Sequence, residues 1–216
     1  MMPIGDDNSG RRTLPIVNYV LIALNVLVFF LEISGGEPFV MNWSFIPARF
    51  LADPMSNMVT LFTSMFMHAG LAHLFGNMLY LWIFGDNIED YLGKIFYPIF
   101  YVACGLAATA SQLFMDPISS VPNLGASGAI AGVLGGYMYL LPNAKVDVLL
   151  GRSLIQLPAL LVIGFWFAVQ FISQIGTFAS TSGEEGGVAY MAHIGGFVAG
   201  LAIIFVQNRF LPHKRS

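Results

Sequence analysis

The sequence predicts an all-α polytopic membrane protein: a six-transmembrane-helix bundle with a long interfacial loop after the first span. Three observations predict it. Of 216 residues, 56% are hydrophobic and 10% charged, against about 25% charged in soluble domains. The apolar residues gather into six runs, at about 15–33, 58–85, 95–115, 125–142, 154–176 and 188–208, most of them near the ~20 residues a span needs. With six crossings, Arg11, Arg12, Lys94, Lys145, Arg152, Arg209, Lys214 and Arg215 share one side and only Arg49 falls on the other. That bias predicts cytoplasmic N- and C-termini.

Composition also excludes classes. A mean hydropathy of +0.73 leaves too few charges to cover a soluble fold of this size. The net charge of −3 and the lack of basic blocks interleaved with aromatics give no surface for nucleic acid. The single cysteine, Cys104, rules out an intrachain disulfide and a thiolate metal cluster; in an apolar run it reads as a packing residue.

Taken in order, residues 1–14 read as a short polar cytoplasmic tail, 15–210 as the six-span core and 211–216 as a cytoplasmic C-terminal tail. The first run follows Arg11-Arg12 as a secretory signal would. It is long for a signal's apolar region and no small-x-small site follows, so a retained helix is expected. Loop 34–57, with Trp43, Phe45 and Phe50, is too apolar for free solvation and suits the membrane interface.

The fourth run is the odd one. From Ser127 to Pro142 a helix extends only about 22 Å, against a hydrocarbon core of about 30 Å. With Pro142 at the cytoplasmic face, Ser127 lies below the outer face. The loop before it must then line a polar cavity, the one setting in which irregular backbone is tolerated there. Helices two and six run the same way. His193 lies about 24 Å from Arg209, and Asn77 and His73 about 20 and 26 Å from Asp90. Ser127, His193, Asn77 and His73 therefore share one layer. Gly128, Gly132 and Gly136 on helix four, and Ala192, Gly196 and Gly200 on helix six, form small-xxx-small faces that permit close approach. Packing these two helices together would bring Ser127 and His193 within hydrogen-bond reach.

The chemistry follows from the residue types. A serine hydroxyl becomes a nucleophile when a neighbouring base takes its proton, and histidine is suited to that task. Acyl transfer also needs donors aimed at the developing oxyanion: the Ser127 backbone N–H, the Asn77 amide and a His73 ring N–H. The acidic residues fall in loops or near helix ends, outside this layer, so the reading is a Ser127–His193 dyad with no carboxylate. It needs no cofactor and no metal.

These residues resemble the rhomboid intramembrane serine proteases. The resemblance rests on Gly125-Ala126-Ser127-Gly128, on AHIGGFVAG from Ala192 to Gly200, on HAGLAHLFGN from His68 to Asn77, and on Gly85-x-x-x-Glu89-x-x-x-Gly93. It implies Ser127 as nucleophile and His193 as base, an oxyanion site of His73, Asn77 and the Ser127 backbone, and a histidine near the cavity at His68. It implies single-span membrane protein substrates, cut in or near the bilayer. Helix five, with Phe165, Trp166, Phe167 and Phe171, would be the lateral gate, or else would simply face lipid; loop 177–187 would be the cap. The chain departs from the family in two places. Ala131 stands where many members carry a tyrosine beneath the histidine, and Trp43 and Arg49 are separated where many have a Trp-Arg pair.

Two other readings compete: a non-catalytic rhomboid-like protein that binds membrane clients, and a transporter or metal site using His68, His73 and His193. Inactive relatives usually lose the serine or the histidine, and no intramembrane carboxylate, HExxH or repeat supports the second. The short tails carry no amphipathic transit peptide, so the expected location is the inner (plasma) membrane of a prokaryote, with the active site opening to the outer side.

Overall fold

Glycines and buried polar side chains decide how the apolar helices meet. The computed structural model of the chain describes residues 2–179 and 189–210; residues 180–187 of the expected cap and the tail 211–216 lie outside them. The first helix, α1 (Ile16–Trp43), bends at Gly36, where φ is +59°. Short helices α2 (Pro47–Ala52), α3 (Pro54–Asn57) and α4 (Thr60–Thr63) and a 3-10 turn (Ser64–Phe66) follow. They lead into α5 (Leu71–Met115), α6 (Ser127–Leu140), α7 (Ala159–Ala179) and α8 (Tyr190–Phe210).

The helix α5 is two limbs. Gly93 breaks it at φ +76° and ψ 166°, a conformation that glycine adopts without strain. In an unbroken helix Leu81 and Tyr97 would lie about 24 Å apart. Instead one side chain, Asn18, donates to the Leu81 carbonyl at 2.9 Å and accepts from the Tyr97 hydroxyl at 2.7 Å. The limbs 71–92 and 94–115 therefore fold back on each other, and Asn18 ties α1 to both. Gly85 makes room, since a Cβ there would lie 2.2 Å from Asn18 Oδ1. Glu89, one turn on, accepts from the N–H groups of Val17 at 3.1 Å and Asn18 at 2.7 Å, satisfying donors that the start of α1 cannot satisfy itself.

By length and composition α1, α5, α7 and α8 could each cross a membrane, and each limb of α5 is about 33 Å long. The shorter α6, 14 residues, is buried from Gly128 to Tyr137 and forms the centre of the bundle. Leu27, Phe30, Phe75, Trp82, Phe165 and Phe205 are exposed on the outside, the inverse of a soluble domain and the surface a lipid solvent requires.

A close approach joins α6 to α8. A Cβ at Gly196 would lie 2.0 Å from the Gly128 carbonyl oxygen, one at Gly200 2.0 Å from that of Gly132, and one at Gly135 2.3 Å from that of Phe197. Gly128, Gly132, Gly196 and Gly200 belong to the small-residue faces read from the sequence, and Gly135 adds a contact that reading did not name.

The sequence reading missed a sheet. Strands β1 (Met2–Asp6), β2 (Lys145–Leu150) and β3 (Ser153–Pro158) pair antiparallel in that order. Residues 2–6 of the expected tail thus form an edge strand, and 154–158, read as the start of helix five, belong to strand β3 before α7 begins. Helix two also starts later than expected, because 60–66 form separate short helices. The sheet packs at the Gly93 end of α5. Asp6 accepts from the Tyr137 hydroxyl at 2.7 Å and from Asn87 at 2.9 Å, Arg11 pairs with Asp86, and Asp90 accepts from Thr13 N at 2.7 Å. Burial pushes the Asp6 carboxyl up to about 6, opposed by the Tyr137 hydrogen bond. Asp7, bonded by Ser9, is held below the usual range.

Candidate active site

Ser127 is the first residue of α6, at the end of the bundle away from the sheet. The loop before it is pinned by Gly125 N–H, which donates to the Ser64 carbonyl at 2.9 Å. Gly125 has φ +136°, and a Cβ there would lie 3.0 Å from His73 Cε1. Glycine thus lets the backbone pass against the imidazole.

The His193 ring lies between two side chains. Its Nε2 is 2.8 Å from Ser127 Oγ and its Nδ1 is 2.8 Å from Gln170 Oε1. The Trp166 ring lies beside it, centroids 5.8 Å apart and tilted by 39°. An aromatic from α7 thus supports the imidazole, and position 131 is a buried alanine. Sequence reasoning named Trp166 only as one of several helix-five aromatics and missed Gln170. A signal was available: Gln170 is a lone polar residue in the run ALLVIGFWFAVQFI, four residues after Trp166 and so on the same helix face.

Ser127, His193, His73 and Asn77 line one cavity of about 660 Å³, with Tyr80 and Trp166 in its wall. His73 and Asn77 are one turn apart on α5. The Ala69 N–H approaches His73 Nδ1 at 3.4 Å, which leaves Nε2 to carry the ring proton. Asn77 Nδ2 is buried and has no partner among the described residues, so its donors are free for a group in the cavity. The N–H groups at the start of α6 likewise have no acceptor within their own helix.

His68 packs edge-on to His73 with ring centroids 5.1 Å apart, and both its ring nitrogens lack a partner among the described residues. Its backbone N–H donates to Glu32 Oε2 at 2.9 Å. Glu32, which the sequence left at a helix end away from the site, therefore reaches a residue packed on His73. It bonds a main chain and no imidazole. Among the described residues no three His, Cys, Asp or Glu come together as metal ligands.

The first loop is anchored without an adjacent Trp-Arg pair. Arg49 donates to the carbonyls of Met41 and, at 2.6 Å, Ser44. Phe45 and Asn123 exchange backbone bonds at 3.1 and 2.7 Å, tying this loop to the segment that leads into Ser127.

Fold and surface define the class: a multi-pass helical membrane protein with a Ser–His pair in a mostly apolar cavity that also holds His73 and Asn77. A model of the Rhomboid domain matches residues 55–210, and the chain belongs to the rhomboid family. It is 34% identical over 197 residues to a Bacillus subtilis protein named rhomboid protease GluP, a match covering 88% of this chain and 35% of that protein. It is 30% identical over 205 residues to rhomboid protein 1, mitochondrial, of Saccharomyces cerevisiae, covering 92% and 55%. It is 30% identical over 203 residues to rhomboid protease GlpG of Salmonella choleraesuis, covering 92% and 65%. The chain thus spans between about a third and two thirds of the length of these relatives.

Proposed function

We propose that this protein is an intramembrane serine endopeptidase that cuts single-span membrane proteins in or near their transmembrane segment by a Ser127–His193 dyad. The observation that carries the reading is the 2.8 Å approach of Ser127 Oγ to His193 Nε2 in a cavity shared with His73 and Asn77. Nε2 takes the hydroxyl proton as Oγ attacks the scissile carbonyl. The oxyanion accepts from Asn77 Nδ2, His73 Nε2–H and the Ser127 N–H, donors fixed before the reaction begins. The imidazolium returns its proton to the leaving amine. Water then hydrolyses the acyl-enzyme with His193 again as base.

In this reading the two limbs of α5, with α1, α7, α8 and the short α6, are the six spans. The cationic residues Arg11, Lys94, Lys145 and Arg152 gather at the sheet end, which is therefore cytoplasmic by the positive-inside rule. The cavity then opens to the outer side of a prokaryotic plasma membrane. The test is cleavage of a single-span substrate in liposomes, together with fluorophosphonate labelling. Both are expected in the wild type and both should vanish in Ser127→Ala. Full cleavage by Ser127→Ala refutes the nucleophile, and a wild type that binds but never cleaves such a substrate is a client binder.

A further inference from the structure

We propose that Gln170, on α7, is a positioning residue that sets the tautomer of His193; this rests on the reading of His193 as the base. A neutral imidazole carries one ring proton. To accept from Ser127, Nε2 must present its lone pair, so the proton must sit on Nδ1. The amide oxygen of Gln170, 2.8 Å from Nδ1, has only lone pairs to offer and holds the proton there. The opposite amide face would do the reverse. An NH₂ turned toward Nδ1 would move the ring proton to Nε2, which would then donate to Ser127 and could not take its proton.

The placement of these residues divides the work among three helices. Ser127 is on α6, His193 on α8, and both the hydrogen-bond partner and the neighbouring ring of the imidazole, Gln170 and Trp166, are on α7. A displacement of α7 away from α8 removes both. Trp166 also touches Phe197, and Phe167 stacks on it with centroids 4.4 Å apart, so docking of α7 on α8 and orientation of the base are one packing event. Among the described residues no carboxylate bonds the His193 ring, and the amide fills the orienting place without adding a buried charge.

The experiment compares Gln170→Met, which keeps length and volume but lacks a strong acceptor, with Gln170→Glu, which keeps an acceptor oxygen. At equal amounts of folded protein, Gln170→Met is expected to lower kcat about 10- to 100-fold with KM changed less than about twofold. Gln170→Glu is expected to retain activity to within several-fold. A residue that merely fills space predicts the opposite order. ¹⁵N spectra of ring-labelled protein give an activity-independent readout: His193 should carry its proton on Nδ1 in the wild type and shift toward the Nε2–H form in Gln170→Met. Wild-type kcat in Gln170→Met, or the Nδ1–H form surviving unchanged in it, overturns the proposal. Absence of any fluorophosphonate labelling in the wild type would instead overturn the peptidase reading, and the spectra would still decide the role of Gln170.

Discussion

Replacing Gly196 with alanine adds one methyl group where two helices touch. Its Cβ would lie 2.0 Å from the Gly128 carbonyl oxygen and 2.9 Å from the carbonyl carbon. A carbon and a carbonyl oxygen rest about 3.3–3.6 Å apart, so α8 must retreat from α6 by roughly 1.3–1.6 Å; a backbone oxygen inside a helix cannot swing aside. Gly128 adjoins Ser127, and His193 lies three residues from Gly196. If the displacement passes to the dyad in full, the 2.8 Å contact opens to about 4 Å, outside hydrogen-bonding range. A misplacement of about 1 Å lowers a rate on the order of 10²-fold, and overpacking of this kind destabilises by about 1–3 kcal/mol. The assay is substrate cleavage and fluorophosphonate labelling at equal folded protein, with thermal unfolding alongside. Gly164→Ala is the control: the same chemical change on α7, where an added Cβ meets nothing within 4 Å. Gly196→Ala with cleavage within about threefold of wild type would refute the claim that this backbone contact sets the dyad distance.

Two further outcomes are expected. Glu89→Ala leaves the Val17 and Asn18 N–H groups without their acceptor and should destabilise the fold by about 2–6 kcal/mol in thermal or denaturant unfolding, at ~1–3 kcal/mol per orphaned buried donor; Glu89→Gln, with one acceptor oxygen, should recover part of the loss. Because burial raises Asp6 from 3.8 to about 6, the folded state binds a proton that the unfolded chain has lost, and stability falls as pH rises from about 4 to about 6. Asp6→Asn should therefore stabilise by about 1 kcal/mol at pH 7.5, after discounting for partial exposure, and by nothing near pH 4; an equal shift of Tm at both pH values would show that the carboxyl's charge is not the cause.

The bundle was legible because hydrocarbon imposes simple rules. Run length gave the helices, and the short fourth run pointed to a short helix beginning at Ser127. The Gly128 and Gly196 spacing predicted the α6–α8 contact because a backbone approach of this kind tolerates few side chains. The sheet was not legible. Residues 2–6 contain no strong strand pattern, and β1 exists because β2 offers it an edge, which local propensity cannot reveal. A break between the second and third runs was expected near Lys94; that Gly93 makes it was not, since a glycine in an apolar sequence does not announce a positive φ. Gln170 shares a helix face with Trp166, but nothing in the sequence says that this face meets His193.

The sequence alone determined the family and the helical membrane architecture, and it predicted one layer for Ser127, His193, His73 and Asn77, because depth in a bilayer depends on position along each helix. Only the tertiary structure decided which side chains meet within that layer. Depth leaves each helix free to rotate and to choose its neighbours, and contacts at 2.8 Å are set by three helices packing at once. Thus α7 brings Gln170 and Trp166 to the imidazole, and a buried Glu32 reaches the backbone of His68.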